Sequence, residues 1–132
     1  MKVKFAPDVQ EIATELLENL PELCFIDQSR ITYMRSYDSK ANAIARIWEL
    51  PRIWQQALEI EPHYVIEVLS QHFDKMPREE QEQTIIHEFL HIPKKFSGAL
   101  VPHKCFGKIR VGRKEVERLH GMYREKKKIT GR

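Results

Sequence analysis

Apolar positions along the chain change their period several times, and the changes mark out its elements. Val9, Ile12, Leu16 and Leu20 recur at helical spacing behind Pro7. This predicts an amphipathic helix over about residues 7–19, with Pro7 in its first turn, Asp8 and Glu11 near its positive end and Pro21 closing it. Two short extended pieces follow, residues 23–26 and 30–36, with Ile31 and Tyr33 alternating with more polar neighbours in the second. Residues 37–42 have a turn composition, 43–48 read as the next strand, and 52–59, behind Leu50-Pro51, as a short helix. Tyr64-Val65-Ile66-Glu67-Val68-Leu69 is a strong strand by its β-branched content.

The pattern changes again after Asp74-Lys75-Met76-Pro77, which turns the chain into a helix with Pro77, Glu79, Glu80 and Glu82 at its start. Pro93 sets its end. From Ile85 to Ile92 apolar residues hold nearly every position except His87, Glu88 and His91. A helix hydrophobic all round is a buried helix, so these three side chains are expected inside, where a polar group costs several kcal/mol unless paired.

The exceptions form a pattern of their own. Residues i and i+4 lie one above the other on a helix, so His87 and His91 can hold one divalent cation while Glu88 addresses a water on it. That set satisfies all three buried groups at once, and it is how a zinc metallopeptidase makes a nucleophile at neutral pH. The competing reading, histidines satisfied within an ordinary core, needs a separate partner for each.

Between Pro93 and Gly112 lie about twenty residues containing Pro93, Gly98, Pro102, Gly107 and Gly112, a length that in a compact domain marks a functional or disordered loop. Gly98 permits a tight bend there. A closing helix over about 113–128 carries Val116, Leu119, His120 and Tyr123 on one face. Catalytic zinc takes three protein ligands and keeps one position open, so a third donor is needed. His103 in the loop ranks first; Glu115 and Glu117 come next, then His120 and Cys105. His63 and His72, flanking the strong strand, read as surface residues. Tyr33, Tyr64 and Tyr123, with His120, are the possible transition-state donors.

Composition narrows the class. At 132 residues, 31% charged and 42% hydrophobic, the chain fits one globular domain spanning 1–132. No apolar run is long enough for a bilayer, and the opening residues, acidic by Asp8, do not form a signal peptide. A cytoplasmic setting is expected, with Cys24 and Cys105 as free thiols and Cys24, in Leu23-Cys24-Phe25-Ile26, a small core residue. The net charge of +3 divides unevenly: residues 104–132 hold eleven Lys/Arg against three Glu, leaving the first 103 net acidic. Such a tail attracts polyanions, so a weak nucleic-acid contact is an expectation, set against a merely solvated helix end.

The run His87-Glu88-Phe89-Leu90-His91-Ile92-Pro93-Lys94-Lys95-Phe96-Ser97-Gly98-Ala99-Leu100-Val101-Pro102-His103 goes well beyond a bare HExxH. It resembles a zincin-like metallopeptidase family found in archaea, bacteria and phages. The likeness extends upstream through residues 45–54 and 64–69 and downstream through 114–119, covering roughly 5–125. It implies an α+β, compact zincin-like fold: a small mixed or antiparallel sheet of three or four strands, a buried HExxH helix, and helices at both ends. It also implies an edge strand at Tyr64–Leu69 that pairs with an extended peptide substrate. By the motif match His87, His91 and His103 become ligands of one Zn2+ per chain, and Glu88 the general base that moves a proton from water to the leaving amine. The alternative function is a non-catalytic, zinc-stabilised module that binds nucleic acid or a protein through the basic closing helix. Glu88 argues against it, because a structural zinc site needs no carboxylate there.

Overall fold

The computed structural model describes residues 2–101 and 112–130 throughout, and the backbone of 104–105 and 108–109 between them. Strands β1 (Lys2–Phe5), β2 (Ile31–Tyr37), β3 (Ala45–Glu49) and β4 (Tyr64–Leu69) form one mixed sheet in the order β1, β2, β4, β3. β1 runs antiparallel to β2, β2 parallel to β4, and β4 antiparallel to β3. The helices are α1 (Pro7–Glu18), α2 (Arg52–Leu58), α3 (Ser70–Phe73), α4 (Arg78–Leu90) and α5 (Arg113–Thr130). A two-residue ladder joins β5 (Lys104–Cys105) to β6 (Lys108–Ile109) inside the long loop. The class is α+β, as expected.

The core gathers the apolar stripe of each long helix against the sheet. Val9, Ile12, Ala13 and Leu16 of α1, Ile85, Ile86 and Phe89 of α4, and Val116, Leu119 and Tyr123 of α5 are buried with Tyr33, Ile66 and Val68. Helices α4 and α5 are also joined through a buried polar contact, with His120 Nε2 2.9 Å from Glu82 Oε1.

Three expectations need correction. Residues 23–26 are not extended: Pro21–Leu23 is a 3-10 turn. With about three residues per turn, Leu23 and Ile26 point inward and Cys24 is exposed rather than in the core. Secondly, β4 is not an edge strand, since β2 and β3 pair on its two sides and β3 is the edge. Its apolar run, broken only by the buried Glu67, is that of an interior strand. Thirdly, β1 has no counterpart in the predicted elements. All four of its residues are exposed, and its lysines suit an edge strand paired on one side only.

Candidate metal centre and active site

Helix α4 delivers the motif. His87 and Glu88 lie in its last turn, and His91 is its C-cap, still near helical geometry with its N–H donating to Glu88 O. Glu80, Thr84, His87 and His91 fall on one stripe of the helix, across from Ile85, Ile86 and Phe89. The two histidines are accordingly only partly buried, not drawn inside as the apolar surroundings imply, and Glu88 is the fully buried member at 6% exposure. Burial alone pushes the Glu88 carboxyl up to about 7, since no cation or donor among the described residues stabilises its charged form.

The rings of His87 and His91 stand 5.2 Å apart, centre to centre, at 73°. Zn–N bonds of about 2.0–2.1 Å at tetrahedral angles put two ligand rings roughly 5 Å apart, so the pair fits a single zinc ion. Among the described residues no three His, Cys, Asp or Glu converge as a complete metal site. His103 lies outside the described residues, and for Cys105 only the backbone, in β5, is described.

The loop after α4 is latched onto the motif. Val101 N donates to His91 O, and His91 Nδ1 is 2.6 Å from Val101 O. A carbonyl only accepts, so Nδ1 carries the proton and Nε2 is the nitrogen with a lone pair. The loop is held in turn by the buried Tyr64, whose hydroxyl accepts from Gly98 N at 2.9 Å and donates to Ala99 O at 2.8 Å. Phe96 packs edge-on against the same ring at 5.1 Å. Gly98 sits at φ +91°, where a side chain is strained, and an added Cβ would also run into Gln55 of α2. The tight bend expected at this glycine is present.

A cavity of about 620 Å³ opens beside the stripe; its walls include Ala45, Thr84, His87, Glu88, Val116 and Glu117. Glu117 therefore shares a cavity with the motif, while its carboxylate takes Arg113 Nε at 2.9 Å. Glu115 is paired with Arg118. His120 is buried with both ring nitrogens engaged, Nε2 with Glu82 and Nδ1 with Gln83 at 3.3 Å. Of the tyrosines, Tyr64 is occupied with the loop, and Tyr123 stacks on His120 with its hydroxyl reaching Glu15. Tyr33 is buried with no hydrogen-bond partner for its hydroxyl among the described residues. Burial pushes the Tyr33 phenol well above its ordinary range.

Sequence reasoning did not reach the Val101 carbonyl, the anchoring role of Tyr64, or β3 as the strand beside the cavity. A backbone carbonyl has no sequence signature; the nearly continuous apolar run of β4 was the available sign that β4 lies inside the sheet. The basic closing helix gives no support to a nucleic-acid surface. Its Arg113, Arg118, Arg124 and Lys127 pair with Glu117, Glu22, Glu79 and Glu15, which spreads the positive charge over the body of the fold. No helix among the described residues is long and apolar enough to cross a membrane.

Comparison with curated proteins and with solved structures gave no significant match. A family model described as "putative phage metallopeptidase" matches residues 1–124. A metal and a peptide substrate follow from that description. The match takes in the whole sheet, α4 with the loop that follows it, and most of α5, so the chain belongs to the putative phage metallopeptidase family.

Proposed function

We propose that the chain is a zinc-dependent peptidase of the zincin type, in which His87 and His91 hold one zinc ion, His103 completes the ligand set, and Glu88 is the general base. The observation that carries this reading is the hydrogen bond from His91 Nδ1 to Val101 O. It is the outer-shell contact that fixes the tautomer and aim of a ligating histidine and raises its basicity. An ordinary core histidine does not require it. His103 is favoured because Val101 is latched to His91, and two more residues of chain reach at most about 7 Å. Glu117 is the second choice, as the carboxylate that shares the cavity with His87 and Glu88.

A bound zinc supplies a Lewis acid that acidifies water and polarises a carbonyl. The protein's own part is proton transfer and positioning. Glu88, buried next to the two histidines, is suited to take a proton from water and hand it to the leaving amine. The peptide is aligned by β3. Ile44 O accepts from Leu69 N, and Leu50 N donates to His63 O. Hydrogen-bonded positions alternate along an antiparallel pair, so Ala45, Ile47 and Glu49 turn their N–H and C=O groups to the outer edge. An extended substrate adds there as one more strand.

Metal analysis tests the reading first. Purified protein should hold about one zinc per chain, and His87→Ala should lose it. Glu88→Gln should retain zinc and lose cleavage of denatured protein. Absence of zinc from reduced wild-type protein would overturn the proposal. Retention of zinc by His103→Ala but not Glu117→Ala would move the third ligand to α5.

A further inference from the structure

The cavity beside the motif is larger than water activation needs, and its wall is not electrically neutral. Its charged residues among those described are Glu80, Glu88, Glu117 and Arg113. Arg113 and Glu117 form an ion pair and cancel. Glu88 is buried, lines the cavity, and has no hydrogen-bond partner among the described residues. Glu80 is exposed on the motif stripe, and its carboxylate makes no ion pair among the described residues. A zinc ion at the histidines would balance Glu88, so Glu80, at the other end of the stripe, is the cavity carboxylate left without a counter-charge among the described residues.

The spacing selects for length. Glu80 and Glu88 are eight residues apart on α4, about 12 Å along the axis. The cavity is also lined by Met76, Val116 and the small Ala45, with Thr84 one turn along α4 from Glu80. A side chain entering from a peptide laid on β3 would share the cavity with this apolar surface and with Glu80. That combination matches a long aliphatic stem with a cation at its tip, the form of lysine and arginine. Acidic side chains would meet like charge there.

We propose that this cavity is the subsite that selects a lysine or arginine of the substrate, with Glu80 as the residue that reads the positive charge. The inference rests on the peptidase reading and adds a substrate preference to it. Glu80 is a specificity residue and takes no part in bond breaking.

The test uses the full-length, zinc-loaded Glu88→Gln protein, so that peptides bind without being cut. Two fluorescein-labelled pools of randomised dodecapeptides are compared by anisotropy at low ionic strength, identical except that norleucine replaces lysine and arginine in one. The basic pool should bind about tenfold more tightly, and adding Glu80→Gln should remove the difference. Glu79→Gln is the control: it deletes the same charge one residue away, at an exposed position paired with Arg124 and outside this cavity. Equal binding of the two pools overturns the subsite while leaving the peptidase reading intact. So does a preference that Glu80→Gln leaves unchanged, or that Glu79→Gln removes equally. Failure of zinc-loaded protein to bind either pool counts against the peptidase reading itself. Cleavage-site profiling of the active wild type supplies a second readout: enrichment of Lys or Arg at one fixed position, lost in Glu80→Gln.

Discussion

A carboxylate buried without a counter-charge makes stability depend on pH, and Glu88 is such a group. Its carboxyl is raised from an ordinary 4.5 to about 7 in the folded chain. Below the lower value both folded and unfolded chains are protonated there and the group is neutral in its effect. Between the two values the folded state binds the extra proton, so stability falls as pH rises. Above about 7 the whole cost is present, on the order of 3 kcal/mol at 1.36 kcal/mol per pKa unit. Metal-free wild type and Glu88→Gln should therefore diverge in denaturant midpoint between pH 4.5 and 7, with the glutamine variant the more stable at the upper end. Parallel profiles would show that the carboxylate has a counter-charge in solution. At this scale the sequence was most legible where chemistry demands particular side chains at particular spacing, as in His87, Glu88 and His91. It could not separate Glu80 from Glu79, because which of them lines the cavity depends on the face that α4 buries.

Elements position the motif, and two contacts between elements carry much of that work. Tyr64 ties the loop to β4 through one accepted and one donated hydrogen bond. Tyr64→Phe removes both and leaves Gly98 N without that partner, which should cost about 1–3 kcal/mol. Because the same loop ends in the Val101 latch on His91, zinc affinity should also fall, by roughly the 10–100-fold typical of outer-shell losses. A competitive chelator titration reads this, and unchanged affinity would uncouple the loop from the metal. The second contact is Glu82 with His120. Glu82→Ala strands a buried imidazole nitrogen and should destabilise by about 1–3 kcal/mol, whereas Glu82→Gln keeps an acceptor and should lose less. Urea midpoints decide it; equal losses would mean that charge rather than the hydrogen bond matters. The strongly periodic elements were legible: α1, β4 and the motif helix lie where their patterns place them. The short ones were not. Strand β1 has four residues and an exposed face on both sides, and the short apolar run at 23–26, which begins in the turn Pro21–Leu23, reads from sequence like a brief strand.

At the scale of the whole molecule, charge and metal make different demands. The acidic first part and the basic last part meet along α5, where Arg118 reaches Glu22 at 2.7 Å and Lys127 reaches Glu15 at 3.3 Å. These side chains are mostly exposed, and such pairs contribute about 0–1 kcal/mol each. Raising the salt to screen them should thus move the melting temperature little. Zinc acts through mass action on the folded state alone. At a free concentration a thousand times its Kd it adds about 4 kcal/mol, and for a chain of 132 residues each kcal/mol is worth about 4 °C. Chelation at constant salt should lower the melting temperature by on the order of 15 °C. The gap should narrow on acidification, since the histidine ligands must be deprotonated to bind. It should also shrink in His87→Ala, which cannot use the pair of rings 5.2 Å apart. A melting temperature insensitive to chelator but sensitive to salt would reverse the ranking, and would make the interface between α5 and the body, rather than the metal, the main external control on this fold.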